Sequence, residues 1–372
     1  MPHLGGLEGE YTAEAVASTW ITPLGPFVDR FENELQSFLC TDKPVVALSS
    51  GTAAIHLALI GSGVKQGDEV ICQSLTFAAS ANPIAYIGAV PVFVDSETQT
   101  WNIDPELLEK AILVRKKATG RFPAAIVVVH LYGMPAEMDS ILEIASKYNI
   151  PVIEDAAEAI GSTYRGRQCG TLGQYGVLSF NGNKMITTSG GGALICPDRK
   201  AADRIKFLAS QARENRPYYY HETIGFNYRL SNVSAAIGCA QMSVLAERIH
   251  RRREICEIYR NLFADNPYVS VHLNPAEDFN SNYWLTTVLI SPNSPLTPDD
   301  LRQRLNVLGI ECRLLWRPMH LQPVFADCPA YLNGASDRLF EQGLCLPSST
   351  TLSNEQVASV AHEINSLLQE PI

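Results

Sequence analysis

The sequence predicts an α/β fold: a largely parallel sheet in a large domain, with a smaller α+β domain after it. Two observations carry this. Short, continuously apolar runs alternate with longer segments of helical periodicity, as strands buried on both faces alternate with crossover helices. The length, 372 residues with 46% hydrophobic, also exceeds what one compact core ordinarily takes. The division is expected near residue 248, giving domains 1–247 and 248–372.

In chain order, FVDRFENELQSFL (27–39) has apolar residues at helical spacing with charges between them. PVVALSS (44–50) then reads as a buried strand running into the helix GTAAIHLALIGSG, in which His56 is expected to pack rather than bind. EVICQS, AVPVFVD, AAIVVVH and IPVIED are further strands; ANPIAYIG, DPELLEKAILVRKK and EMDSILEIASKYN are the helices between them. YGVLSF and GGALIC are strands joined by a glycine-rich loop, and 199–213 is helical. One long helix is expected over 231–263, its run RIHRRREI forming a solvated face. SNYWLTTVLIS reads as a strand, TPDDLRQRLNVLG as a capped helix, and NEQVASVAHEINSLLQ as a closing amphipathic helix.

Composition narrows the function. A net charge of −10 and no long basic cluster argue against nucleic acid as partner. Nine cysteines, without a CxxC pair, fit reduced buried thiols better than a disulfide framework or zinc ribbon, and no metal site is expected. MPHLGGLEGEYTAEA is not a secretory signal, and no apolar run reaches the ~20 residues of a membrane helix. A cytoplasmic location is expected.

Four features fall at strand ends or strand-to-helix turns, where α/β proteins bind ligands. SSGTAA (49–54) opens a helix with hydroxyls and unpaired N–H groups suited to an anion; alone it would pass for an ordinary N-cap. It is neither GxGxxG nor the Walker pattern, which disfavours NAD and ATP. Asp155 ends IPVIED, and burying it requires a positive partner; strand alternation turns Glu154 to the opposite face. Lys184 lies in SFNGNKMITTSGGG (179–192), among small polar residues and glycines that admit a ligand closely. A partly desolvated lysine is a nucleophilic amine suited to Schiff-base chemistry. Phe77, in SLTFAAS, is placed either to stack on a ring or to fill the core. A phosphate at Gly51, Thr52 and Ser179, a ring nitrogen at Asp155 and an aldehyde on Lys184 together describe pyridoxal 5′-phosphate.

The series SSGTAA, TFAAS, VIEDAAEAIGSTYRG, SFNGNK with TTSGGG, GFNYRLSN and WRPMHLQP resembles the DegT family of nucleotide-sugar aminotransferases, in order and over nearly the whole chain. The resemblance implies the type I aminotransferase fold. It makes Lys184 the Schiff-base lysine and Asp155 the partner of the pyridine nitrogen, with Ala53 joining Gly51 and Thr52 at the cofactor. It puts Glu158 near the ring hydroxyl, where the family often has Gln or His. Asn227 is implied to reach the phosphate of the other subunit of a homodimer, Tyr228 and Arg229 to support that loop or meet substrate, and Trp316, Arg317 and His320 to lie near the nucleotide diphosphate or sugar. The implied partners are L-glutamate and a nucleotide-linked ketosugar. FNGNKMITTSGGG is most similar to the branch acting on UDP-linked 4-keto-6-deoxy amino sugars; dTDP- or GDP-linked 3- or 4-ketosugars are the alternative, and a non-catalytic cofactor-binding protein is the alternative of another class.

Overall fold

The computed structural model describes residues 2–369, so the expected domain limits at 1 and 372 lie outside the described residues. Its principal sheet has eight strands in the order Val45–Leu48, Gly192–Ile195, Tyr175–Ser179, Val152–Asp155, Ala125–Val129, Glu69–Gln73, Val90–Val94 and Ala330–Tyr331. Gly192–Ile195 runs antiparallel to both its neighbours, and every other pairing in the sheet is parallel. Alternation along the strands divides the core. Val70, Cys72 and Val127 pack with helices Gly51–Gly61 and Arg199–Ala209, while Ile71, Ile126 and Val128 pack with Pro105–Thr119 and Met138–Lys147. Apolar strands without a polar face follow from this two-sided burial.

A second, antiparallel sheet joins Val269–Val271, Thr287–Ile290, Gly343–Cys345 and Arg313–Leu314. Its core takes Tyr259, Leu301, Leu305, Val357 and Ile364 from helices Leu245–Leu262, Pro298–Val307 and Asn354–Gln369. Pro298–Val307 starts with a capping box: Asp300 N–H donates to Thr297 Oγ1 at 3.2 Å, and Thr297 N–H to Asp300 Oδ2 at 3.1 Å.

Three expectations need correction. The single helix over 231–263 is two, Asn232–Met242 and Leu245–Leu262. Ser243 Oγ donates back to Ala240 O at 2.6 Å, a local bond that competes with continuing the helix. The run RIHRRREI is not a solvated face, because Arg248 and Arg252 are buried one turn apart, and Arg253 donates to Ser281 O and Gly161 O. The strand expected over SNYWLTTVLIS is confined to Thr287–Ile290, after a kink at Tyr283, whose φ is 48°.

Candidate active site

Strands of the parallel sheet end on a cleft of about 1010 Å³ lined by Lys184, Asp155, Glu158, Gly51, Thr52, Ser179, Phe77 and Trp316, with Ser80, Trp284 and Arg252. Alternation sorts the two acids of IPVIED as expected. Glu154, on one face, accepts N–H bonds from Gly170, Leu172 and Gly173 and one from His130 Nε2 at 2.9 Å. Burial would raise its pKa, but the His130 bond and these amides win and hold it below the usual carboxylate value. Asp155, on the other face, accepts from Ser80 Oγ at 2.6 Å and from Ala157 N–H at 3.2 Å and opens onto the cleft.

The turn after Asp155 brings Glu158 back to the cleft floor. Lys184 Nζ donates to Glu158 Oε1 at 3.0 Å, and Tyr132 N–H donates to Oε2 at 2.8 Å. Burial pushes the Glu158 carboxyl up from its ordinary value; the Lys184 charge and hydrogen bond reverse only part of that, and nearby Asp155 adds to the rise. The direction is that of a carboxyl disposed to keep a proton. Lys184 Nζ also stands 4.2 Å from the centroid of the Trp284 ring, whose Nε1–H donates to Asn183 O at 2.8 Å and so pins the lysine loop.

The three glycines behind Lys184 do different things. A β-carbon at Gly192 would stand 2.4 Å from Ser50 C, so Gly192 lets two backbone segments pack; one at Gly191 would stand 2.1 Å from the Thr188 Oγ1 side-chain atom, and Gly190 has nothing near, these two both lining the cleft. Gly192 thereby lets its strand pass directly under the start of helix Gly51–Gly61. Gly51 has a similar neighbour: its β-carbon would be 3.0 Å from Ser179 Cβ. A helix N-terminus and a serine hydroxyl are thus pressed together beside Lys184, the donor set that a phosphate monoester fits. Phe77 is 54% exposed, which removes the core reading, and its ring leans on Trp316 at 5.4 Å.

Other expected residues fall outside the cleft within this chain. Ala53 N–H is taken by the Ser50 cap at 3.0 Å. The Tyr228 hydroxyl meets His56 Nδ1 at 3.3 Å, consistent with a packed His56, and Arg229 Nη1 pairs with Glu32 at 3.3 Å. His320 bonds Ser74 Oγ at 2.7 Å and faces Asp337 at 3.1 Å, fastening the 319–321 turn rather than facing a ligand. Arg317 is exposed and not among the lining residues; Asn227 is exposed and joined to Ser210 only through backbone. Conversely, Ser80, Trp284 and Tyr132 were not expected. Ser80 stands inside the TFAAS motif. Tyr132 holds φ at 53°, unusual for an aromatic residue, with its N–H on Glu158 and its hydroxyl accepting from Trp316 N–H at 2.9 Å. That backbone state has no signature in one sequence.

A half-buried lysine paired with one carboxylate, in a cleft that a second carboxylate also lines, next to a phosphate cradle at the strand ends of a mostly parallel sheet, is the equipment of a pyridoxal phosphate-dependent transferase. The chain belongs to the DegT/DnrJ/EryC1/StrS aminotransferase family, which it matches over residues 3–365; it is an aminotransferase, of a family that is pyridoxal phosphate-dependent. It is 47% identical to EpsN of Bacillus subtilis strain 168, named as a candidate pyridoxal phosphate-dependent aminotransferase, over 96% of this chain and 92% of the relative. It is 38% identical to the GDP-perosamine synthase of Escherichia coli O157:H7, over 98% of this chain and 96% of the relative. A crystal structure of a DegT DnrJ EryC1 StrS aminotransferase from Brucella abortus superposes with a TM-score of 0.91 at 28% identity, covering 98% of this chain and 95% of that one. Among the described residues, no helix is long and apolar enough to cross a membrane.

Proposed function

We propose that this chain moves the amino group of L-glutamate to the keto carbon, at C4, of a nucleotide-linked 4-keto-6-deoxy sugar. The observation that carries the reading is the Lys184–Glu158–Asp155 constellation beside the Gly51–Ser179 cradle. Pyridoxal 5′-phosphate supplies the aldehyde and an electron-withdrawing ring that stabilises charge when a C–H proton leaves. Gly51, Thr52 and Ser179 would hold its phosphate, Asp155 would face the ring nitrogen, Glu158 the ring hydroxyl, and Phe77 one face of the ring. Lys184 Nζ would be the point of covalent attachment and, once free, the base that removes the proton at the donor's α-carbon in one half-reaction and the acid that delivers a proton at the sugar carbon in the other. Glu158 accepts a hydrogen bond from that amine at 3.0 Å, and the Trp284 ring centroid lies 4.2 Å from it.

Among nucleotides, the GDP-perosamine synthases among the relatives favour a GDP-linked sugar. The expected UDP-linked 4-keto-6-deoxy-N-acetylhexosamine rests on FNGNKMITTSGGG alone, and the dTDP-linked sugars have less support still. A homodimer with shared sites is part of the proposal, Asn227 reaching the partner's phosphate, as is a cytoplasmic location. Incubation with glutamate and GDP-, UDP- and dTDP-linked 4-ketosugars, followed by mass spectrometry of products, tests the reading. The GDP-linked sugar is expected to be aminated fastest. No amination of any of them, with a cofactor absorption band that ignores glutamate, would instead leave a passive binder.

A further inference from the structure

The inward arginines of helix Leu245–Leu262 include one whose charge the chain leaves unbalanced. Arg252 is 9% exposed and lines the cleft together with Lys184 and Trp284. Its Nη1 donates to Trp284 O at 2.7 Å, its Nε is buried without a partner, and no carboxylate among the described residues pairs with it. Burial alone acts on its pKa, pushing it down to about 10, so the group remains cationic at neutral pH. Three other inner cations have carboxylates: Lys206 and Arg229 share Glu32, at 2.6 and 3.3 Å, and Arg115 faces Glu69; Arg253 and Lys43 instead rest on two backbone carbonyls each, whereas Arg252 has one. A buried guanidinium without a counter-ion is costly unless an anion arrives.

Trp284 fixes where that anion would lie. Its carbonyl holds Arg252 and its ring carries Lys184 Nζ at 4.2 Å, so one residue positions both cations on the same wall. With Nη1 committed to Trp284 O, the guanidinium still offers an anion its remaining N–H groups. A phosphate, by contrast, has the helix N-terminus at Gly51. We infer that Arg252 binds a carboxylate of the amino donor while the donor presents its amine at Lys184, an inference that rests on the transamination reading above. The ketosugar has no carboxylate at its reacting end, so Arg252 would act in only one half of the reaction.

Glutamate titration of the holoenzyme, followed through the cofactor band, reports the donor half alone, and calorimetry with glutarate reports carboxylate binding without turnover. Arg252→Gln is expected to raise the half-saturating concentration of both by about 10- to 100-fold, the worth of a hydrogen bond to a charged group. GDP and UDP should bind as before, and Arg252→Lys should fall between. Unchanged glutamate and glutarate affinities, or an equal loss of nucleotide binding, would overturn the assignment. If the glutamine variant does not fold, the wild type decides. Glutarate is expected to protect Arg252 from phenylglyoxal, read by peptide mass; protection by GDP or inorganic phosphate instead, or none at saturating glutarate, overturns it. A wild-type response matched by the variant sinks Arg252 alone, whereas a wild type indifferent to glutamate and glutarate sinks the transaminase reading with it.

Discussion

The cleft floor and the segment 213–229 both carry motifs of one family, yet the chain completes only the first. On the floor, Lys184, Glu158, Asp155 and Ser80 are buried or nearly so and bond to one another or to nearby backbone. In the segment, Tyr219 is 79% exposed and Ile224 85%, with Asn227 exposed beside them. What ties it down is mostly backbone: Phe226 N–H to Leu208 O, Tyr228 N–H to Ala209 O, and Ser49 N–H to Tyr228 O. Charges can be buried only where partners meet them, so the floor had to be closed by this chain itself. A loop anchored through its backbone, with large apolar side chains outward, is arranged for a surface from elsewhere to cover it. We attribute that surface to a second copy of the chain.

The hardest blow to the self-contained half is Lys184→Ala. Turnover should fall by at least about 10³-fold, since anchor and proton carrier vanish together. The fold should survive, because the side chain lines a cleft and the loop is pinned through Trp284 to Asn183 O. Circular dichroism and retained cofactor in the variant check the second half of this statement; retained transamination would break the first.

Legibility followed the same divide between local and distant causes. The central strands are readable because burial on both faces removes polar residues from Val70–Cys72 or Ile126–Val129. Ala330–Tyr331 is not: two residues join the sheet edge from more than 200 positions beyond Val90–Val94, with no periodicity to announce them. At the site, Lys184 and Asp155 are visible because each stands in a conspicuous local setting, whereas Glu158 is visible only through the resemblance of VIEDAAEAIGSTYRG. Trp284 and Arg252 are brought in by tertiary packing, and an arginine run reads the same whether helix packing buries it or leaves it wet. Arg229, a polar residue in the same motif as Asn227, pairs with Glu32, which agrees with the expectation that it supports the loop.

A smaller effect should come from the exposed half. Asn227→Asp puts a negative charge where the proposal has a phosphate oxygen of the partner's site, and should cost about tenfold or more in activity. Mixed with Lys184→Ala, it should complement: a two-fold dimer of one chain of each kind has one site with both native residues and one with both defects. Random exchange makes half the dimers mixed, so recovery should approach about a quarter of wild-type activity. No recovery after verified exchange, or an active monomer, would close the exposed segment's claim on the site.

The subtlest test asks how comfortably the floor is closed. The Glu158 pKa is raised in the folded chain, by burial first, above an ordinary value of 4.5. Above pH 4.5 the unfolded chain has therefore given up a proton that the folded chain still holds. The stabilising contribution is complete below 4.5 and is lost as pH rises through the folded value. Glu158→Gln removes this titration. The unfolding free energy of the cofactor-free wild type minus that of the variant should decline as pH rises from 4.5, by at most about 1.4 kcal/mol per pH unit, and then level off. Denaturant unfolding of both proteins at matched pH values measures it. A flat difference would mean that Lys184 already holds Glu158 fully ionised, so that the floor is a settled ion pair; a declining one means that the pair is a compromise between burial and charge, with a proton to spare at the cleft.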